Sequence, residues 1–292
     1  NAVDLDSYLV ENSKVILENA MIEQWSAVRK ESNYLNSVLS DLLKEQRADI
    51  EKFTKDKELQ KEYTQRVFPE LLESLRRDTT CGVFLVMAND QPIGAPGDFT
   101  GFFLRDSDPV TKVDTNSDLL LERGDKTLAR QWGITLDNSW SPAFRFQGKG
   151  IRESDDFFYE PYTAGMAHTG VDMASLGYWS MPFILEDYEM DNHKMITYSV
   201  PLVNDGVIYG VVGTEVSVSY LCNTYFRVQD LNRQQTAGYA IAVDNGDGTY
   251  ENIAGKGNLY DAVQRENGIF KLESTKHEDL FKVKDSKIGT QE

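Results

Sequence analysis

The first 47 residues carry apolar side chains at the spacing of an amphipathic helix. No Gly or Pro occurs from Asp4 to Arg47, and polar residues separate the positions of one stripe, namely Leu5, Leu9, Asn12, Ile16, Val28, Leu35, Leu39 and Leu42. A period of about 3.5 residues predicts one long helix. Roughly 40 helical residues span about 60 Å, which suits a stalk or the seam of a parallel dimer. A helix packed along its own domain explains the same pattern.

The next segment, residues 49 to 77, continues the helical pattern. It is heavily charged, Pro69 stands where a second helix can begin, and three leucines follow on one face, namely Leu71, Leu72 and Leu75. We expect this apolar face to dock on a sheet. Residues 1–77 are therefore predicted to form an N-terminal helical stalk.

The periodicity changes at Cys81. Residues 82–88 read as a buried strand, residues 89–97 as a turn-rich break, and Gly101 to Arg105 as the returning strand. A second strand pair spans residues 195–221, where Val-, Ile-, Thr- and Tyr-rich runs flank Asn204-Asp205-Gly206. Asp-Gly between such runs predicts an antiparallel hairpin.

Glu215 interrupts the otherwise apolar second arm of this hairpin. Because buried acids are rare, the simpler interpretation places its carboxylate on a solvent-facing side of the sheet. The alternative is that Glu215 points into a pocket.

A long connection with many aromatic residues lies between the two strand pairs, from Asp106 to Asp191. It includes a segment predicted to be helical, Leu119 to Gln131, and the following aromatic side chains: Trp132, Trp140, Phe144, Phe146, Phe157, Phe158, Tyr159, Tyr162, Tyr178, Trp179, Phe183 and Tyr188. Long connections on compact domains usually carry binding sites. As a group these aromatics favour a ligand pocket, although each one alone is explained by a small core of the insert itself.

The C-terminal part repeats a strand-turn-strand signal from Gly238 to Ile253, with Asn-Gly and Asp-Gly in the turn, and a helical pattern follows from Leu259 to Arg265. The remaining residues look too few to complete a sheet of five strands. We therefore predict a sheet module at residues 78–228 and a second, smaller and truncated module at residues 229–292.

Charge and cysteine content narrow the function classes. The 292 residues carry a formal net charge of −17, and clustered Lys and Arg are lacking, which argues against nucleic acid and against docking on anionic lipid by charge. No window approaches the roughly 18 apolar residues of a membrane span. Cys81 and Cys222 are too few for a disulfide framework or a zinc site, and we expect two unpaired thiols.

Motifs of catalysis are missing from the sequence, including nucleophile elbows, metalloprotease helices, phosphate loops and dinucleotide fingerprints. His168, His193 and His277 are interpreted as surface histidines. The run from Asp114 to Asp118 imitates a calcium loop, but Leu119 stands where that loop needs Gly. No cofactor and no metal are predicted.

The order of these elements resembles a known family. The long N-terminal helix and the strand pair precede an aromatic insert with Asp156-Phe-Phe-Tyr-Glu-Pro-Tyr162, and the blocks at residues 177–183, 196–202 and 206–218 follow. This arrangement is similar to the double Cache sensor domains of bacterial transmembrane receptors. The resemblance implies an α+β fold in which a long N-terminal helix precedes a membrane-distal, PAS-like antiparallel sheet module and a second, smaller PAS-like module.

The resemblance also implies a function. Family members are ligand-sensing regions on the extracellular or periplasmic face of the membrane, anchored by flanking helices that this sequence does not contain. They control a histidine kinase, a diguanylate cyclase or a chemoreceptor output. Two other classes stay open: a secreted carbohydrate-active enzyme using Asp155, Asp156 and Glu160, and a structural or adhesive stalk.

The predicted ligand site combines the insert with the last hairpin. Its residues are Asp156, Tyr159, Tyr162, Tyr178, Trp179, Phe183, Tyr198 and Glu215. Family members that bind amino acids hold the carboxylate with an Arg, and alignment on Tyr159 places Asp156 at that position. Because Asp would repel a carboxylate, the resemblance implies an amine, a quaternary ammonium compound or a sugar-like ligand rather than a simple amino acid. Arg152 lies close enough in sequence to supply the missing arginine that would bind a ligand carboxylate.

Overall fold

The computed structural model describes residues 2–111, 114–185, 193–225, 238–257, 268–274, 281–285 and 289–291. The chain forms two compact units, Asn1–Ser217 and Val218–Glu292. The N-terminal helices thus belong to the same unit as the first sheet, and the helical segments from Val28 to Leu43 and from Phe53 to Leu75 bury apolar side chains in its core. None of the helices in the described part of the chain is long and apolar enough to cross a membrane.

The N-terminal segment is helical over nearly the predicted length, but it is not one continuous α-helix. Helix α1 (Ala2–Asn19) and helix α2 (Ser32–Glu45) are separated by a π-helical turn at Ala20–Trp25 and a 3₁₀ turn at Ala27–Glu31. The prediction of an uninterrupted helix is wrong at these turns. Hydrophobic periodicity could not show the change, since the apolar stripe continues through it.

Helices α3 (Ile50–Lys55) and α4 (Lys57–Arg77) follow. The prediction that a helix begins at Pro69 is wrong, because the Asp56 carboxylate accepts hydrogen bonds from two backbone amides of the first turn and starts α4 at Lys57. Pro69 lies inside α4. The three leucines after it are buried, as predicted.

The described residues of the first unit form nine strands. In chain order they are β1 (Gly82–Met87), β2 (Gly97–Phe99), β3 (Gly101–Asp106), β4 (Leu119–Arg123), β5 (Thr135–Ser141), β6 (Phe144–Phe146), β7 (Tyr178–Trp179), β8 (Met195–Asn204) and β9 (Val207–Ser217). Seven of them form one sheet in the order β5-β4-β3-β1-β9-β8-β7, in which only the β4–β5 pair is parallel. Strands β2 and β6 form a separate pair.

The predicted hairpin of β8 and β9 is confirmed. Asp205 and Gly206 form its turn with φ values of 49° and 77°, as a two-residue hairpin turn requires. The segment predicted to be helical from Leu119 instead begins with strand β4, and the helix there, α5, covers only Lys126–Trp132. Asp125 caps α5 through the Thr127 amide at 2.8 Å, so a turn separates the two elements.

The sheet has two buried faces with different coverings. One face, here called the helix face, carries Leu85, Leu104 and Val212 and packs against α2 and α4. The other, here called the insert face, carries Phe84, Phe103 and Val211 and packs against helix α6 (Asp156–Ala167) and the other aromatics of the insert. Because side chains alternate between the two faces along each strand, the position of a residue in its strand decides whether it contacts the helices or the insert.

The second unit begins with helix α7 (Val218–Tyr225). Its sheet contains β10 (Gly238–Asp244), β11 (Tyr250–Gly257), β12 (Ile269–Ser274), β13 (Phe281–Asp285) and β14 (Gly289–Gln291) in sequential order. The predicted pair at residues 238–253 is confirmed. The expectation that the residues are too few for five strands is wrong, because these strands are short. The predicted helix at residues 259–265 lies outside the described residues.

Candidate functional site

Strand β9 places Glu215 on the insert face, in line with Val211 and Gly213. The side chain is fully buried. The interpretation of Glu215 as a solvent-facing residue is therefore wrong: the insert covers this side of the sheet, so both faces are buried. A buried carboxylate needs partners that offset its lost hydration.

His193 supplies one partner. One of its ring nitrogens, Nε2, contacts Glu215 Oε1, and the ring is largely buried. Burial opposes the charged imidazolium, but the hydrogen bond to Glu215 and the charge of its carboxylate outweigh burial and raise the pKa of His193 above its ordinary value. His193 is therefore not the surface histidine that the sequence suggested.

A second charged group lies on the neighbouring strands of the same face. Arg105 on β3 places Nη2 at 2.9 Å from Glu122 Oε1 of β4 and at 2.7 Å from Asp137 Oδ2 of β5. The other Asp137 oxygen accepts hydrogen bonds from the amide and hydroxyl of Ser139, both at 2.8 Å. Burial opposes ionisation of Asp137, yet these bonds and Arg105 lower its pKa overall.

Gly82 lies between the two groups. In the sheet register it is opposite Arg105 on one side and opposite Glu215 on the other. Because neighbouring strands are about 4.8 Å apart, Arg105 and Glu215 face each other across a position that has no side chain. We call Arg105, Glu122, Asp137, His193 and Glu215 the acidic site.

The acidic site contains more negative than positive groups, since three carboxylates meet one guanidinium and one imidazole. This excess of negative groups affects Glu122. Burial, and then the nearby charges of Glu215 and Asp137, raise the pKa of Glu122 to about 7, although the charge of Arg105 opposes the increase. In addition, Glu215 Oε2 is buried and has no hydrogen-bond partner among the described residues. Buried polar atoms without a partner are uncommon in native structures, and this one can accept a hydrogen bond from a ligand.

The predicted site residues do not all share this face. Tyr198 is opposite Thr214 in the hairpin register, and Trp179 is opposite Tyr198. Both aromatics therefore lie on the helix face, where their rings are 5.2 Å apart. The prediction that Tyr198 and Trp179 line a pocket with Glu215 is wrong, because side chains separated by an odd number of strand positions point to opposite faces.

The remaining predicted residues belong to the insert side. Phe183 stacks on Phe157 at 5.4 Å, and the Tyr159 hydroxyl donates to the Ala95 carbonyl at 2.8 Å. These buried side chains form a core of the insert together with Phe84, Phe99, Phe103, Phe144, Phe146 and Phe158. For Tyr159 and Phe183 the structure thus supports the simpler interpretation of packing.

Asp156, Tyr162 and Tyr178 are only partly buried. Tyr162 stacks on Phe158 at 5.1 Å. Burial and the nearby Asp156 carboxylate raise the pKa of Tyr178 to about 12, and burial raises the pKa of Asp156. Tyr178 is in register with Ser199 and Gly213, two residues along β9 from Glu215, so it lies on the side of the acidic site nearest α6.

Arg152, the alternative candidate for binding a ligand carboxylate, is engaged elsewhere. Its Nε and Nη2 atoms donate to Asp155 Oδ1 at 3.0 and 2.7 Å, and Nη2 also donates to the Arg145 carbonyl. Asp155 accepts a further hydrogen bond from the Gln147 amide. Both side chains therefore fix the loop before α6, which leaves Asp155 poorly suited to the catalytic role considered for it.

Three surface clefts are lined by residues outside the acidic site. One of about 420 Å³ is lined by α4, the start of α5 and Trp140. It contains none of the predicted site residues, and its Lys61 is already paired with Asp125. The described residues also contain no group of three or more His, Cys, Asp or Glu side chains that could hold a metal.

Four members of the acidic site were not predicted from the sequence: Arg105, Glu122, Asp137 and His193. The available signal was the placement of charged residues inside or directly after apolar strand runs, as in Phe102-Phe-Leu-Arg105 and Leu119-Leu-Leu-Glu122. Such charges are almost never fully buried unless paired. Their partners come from distant parts of the chain and could not be assigned without the sheet register.

No protein-family model matches the chain, and no curated protein matches it. Among solved structures it is similar to sensory domains of chemoreceptors, the class that the sequence resemblance indicated. The periplasmic sensory domain of Campylobacter jejuni Tlp1 is 12% identical, with 93% of each chain covered and a TM-score of 0.38. The sensory domain of Campylobacter jejuni Tlp3 with isoleucine bound is 13% identical, with 96% of this chain and 87% of that chain covered and a TM-score of 0.35. The ligand-binding domain of Pseudomonas aeruginosa PAO1 PctC in complex with GABA is 12% identical, with 93% and 90% covered and a TM-score of 0.32.

Proposed function

We propose that this chain is the ligand-sensing region of a bacterial transmembrane receptor and that it lies on the extracellular or periplasmic face of the membrane. In this proposal, residues 1–77 form the helical stalk, residues 78–228 form the ligand-binding module, and residues 229–292 form the membrane-proximal module. The output would be a kinase, a cyclase or a chemoreceptor signalling domain outside this sequence.

The observation that carries the binding role is the acidic site itself. Arg105, Glu122 and Glu215 are buried, Asp137 and His193 beside them are partly buried, and Glu215 Oε2 has no hydrogen-bond partner among the described residues. Such an arrangement is costly for folding alone, because each buried charge loses hydration that only a partner can replace. A ligand that brings a positive charge and N–H donors would offset that cost.

The ligand class that we infer is therefore a small molecule with an amine. An ammonium group can donate to Glu215 and compensate the excess negative charge. The guanidiniums described around the site are engaged within the protein. Arg105 pairs with Glu122 and Asp137, and Arg152 pairs with Asp155. Arg123 donates to the Glu122 and Ser139 carbonyls. A carboxylate on the ligand would have to compete with these internal pairs, which favours amines over ordinary amino acids. A quaternary ammonium compound would match only the charge of the site, because it has no N–H to donate to Glu215.

The test is a thermal-shift screen with five groups of compounds: primary amines, quaternary ammonium salts, neutral sugars, standard amino acids and GABA. A ligand at 100 times its Kd stabilises the folded state by about 2.7 kcal/mol. We expect the amines to raise Tm and the neutral sugars to leave it unchanged. A response limited to sugars would refute the amine proposal, and turnover of a saccharide would favour the enzyme alternative.

We further propose that α1 contributes to a parallel dimer. On α1, Tyr8 and Val15 are exposed seven residues apart, as are Leu9 and Ile16 beside them, and Ile22 of the π-helical turn follows seven residues after Val15. Exposed apolar residues with a seven-residue repeat are typical of a coiled-coil seam. A second copy of the same chain carries the same stripe and would cover it.

A further inference from the structure

The break in the N-terminal helix lies directly behind the acidic site. Glu215 and Thr214 are consecutive in β9, so Glu215 points to the insert face and Thr214 to the helix face. The Thr214 hydroxyl donates to the Trp25 carbonyl at 2.5 Å. Trp25 is the last residue of the π-helical turn, and both residues are almost completely buried.

The backbone around Trp25 is held by side chains rather than by regular helical bonds alone. Ser26 Oγ donates to the Ile22 carbonyl at 2.5 Å. Arg29 Nη1 donates to Ser26 Oγ at 2.6 Å and to the same carbonyl at 3.1 Å. These hydrogen bonds provide a partner for the Ile22 carbonyl at a point where the helix changes type and regular helical bonds are interrupted.

Burial also changes at this point. Helix α1 is mostly exposed from Tyr8 to Asn19, whereas Trp25 and Val28 are completely buried against the rest of the unit. The π turn underwinds the helix and the 3₁₀ turn overwinds it. A change in the length of either turn therefore rotates α1 about its own axis relative to α2.

We propose that the Thr214–Trp25 hydrogen bond is a conformational link that couples the state of the Glu215 carboxylate to the winding of residues 20–31. When the charge of Glu215 is neutralised, β9 adjusts, and Thr214 carries the adjustment to the Trp25 carbonyl. The two turns then change length, and α1 rotates. This coupling rests on the proposed function only in naming a ligand as the natural cause of neutralisation.

The experiment replaces the ligand by a substitution. Glu215→Gln removes the charge without changing the shape, and amide hydrogen exchange over residues 20–31 reports the winding of the two turns. An allosteric coupling corresponds to a change of roughly 5- to 150-fold. We expect Glu215→Gln to change exchange in this segment by at least about fivefold, and the added Thr214→Val substitution to abolish that response.

Two further variants serve as controls. Thr64→Val also removes a buried threonine hydroxyl that donates to a backbone carbonyl, that of Gln60, and it should leave the response intact. Thr214→Ser keeps the hydroxyl and should preserve the response even if Thr214→Val proves too unstable to measure. An unchanged segment 20–31 in Glu215→Gln, or a full response in Glu215→Gln with Thr214→Val, would overturn the link. Because no ligand is added, these outcomes are independent of whether the site binds an amine.

Discussion

Gly82 lies directly opposite Glu215 in the β1–β9 pair, and Glu215 Oε2 lies 2.5 Å from the position that a Cβ atom of residue 82 would occupy. The glycine is therefore part of the acidic site, since its missing side chain leaves room for the carboxylate. Strand β1 is otherwise formed by larger apolar residues.

Gly82→Ala should displace the Glu215 carboxylate from His193. We expect a loss of about 1–3 kcal/mol in the free energy of unfolding, the usual cost of overpacking a core, together with loss of amine binding. Denaturant unfolding measures the first effect and calorimetry the second. Gly170→Ala is the matched control, because a Cβ there meets nothing within 4 Å. Equal stability of the two variants would contradict the packing described for Glu215.

Stability should fall as pH rises through the neutral range. Burial raises the pKa of Glu122 from 4.5 to about 7, and the pKa of His193 is raised above 6.5. For both groups the folded state binds more protons than the unfolded state, so the stabilisation is fully present below the unfolded pKa and is lost through the folded pKa.

We therefore expect Tm to decrease between about pH 5 and pH 8, and Glu122→Gln to flatten the decrease. Scanning calorimetry across this range is the measurement. An increase of Tm with pH over the same interval would show that other groups dominate.

Trp179→Ala distinguishes the helix face from the acidic site. Because Trp179 packs on Tyr198 behind the sheet, we expect lower stability, by up to about 3 kcal/mol for a half-buried aromatic, but unchanged affinity for the ligand. Tyr178→Ala, on the insert side, should reduce affinity. Reduced affinity in Trp179→Ala, together with unchanged affinity in Tyr178→Ala, would instead show that Trp179 belongs to the binding site.

The dimer proposal is tested on α1. Ile16→Glu places a charge in the exposed apolar stripe and should make the chain monomeric at micromolar concentration, as measured by sedimentation. Lys14→Glu is the control, since Lys14 lies outside the stripe and its pair with Glu11 is exposed. A wild-type chain that is monomeric at millimolar concentration would refute a self-sufficient dimer seam.

The sequence predicted those parts of the fold that rest on local chemistry. The Asp205-Gly206 turn requires φ above zero at both residues, which Asp and Gly tolerate, so the β8–β9 hairpin was recognisable. The leucines of α4 were placed correctly by their spacing. Failures arose where contacts between distant parts of the chain are involved, as at the break at Ala20–Glu31, where the Trp25 carbonyl accepts a hydrogen bond from Thr214 of β9.

The site was only partly predictable for the same reason. Glu215 stood out because a charge interrupted a buried strand. Arg105, which faces it across Gly82, is 110 residues away in sequence and could not be assigned to the same site without the register. Too many aromatic side chains were assigned to the ligand site, because aromatic residues are common both in packed cores and in ligand pockets. The face of Tyr198 followed only from the exact register of the hairpin.

In the proposed function, the acidic site binds an amine through Glu215. Titration calorimetry of the wild-type chain and of Glu215→Gln with the best amine from the thermal screen tests it most directly. A charge-assisted hydrogen bond contributes about 1.5–3 kcal/mol, so the account predicts a loss of affinity of roughly 10- to 100-fold in the variant. Equal affinities of the two proteins would contradict it.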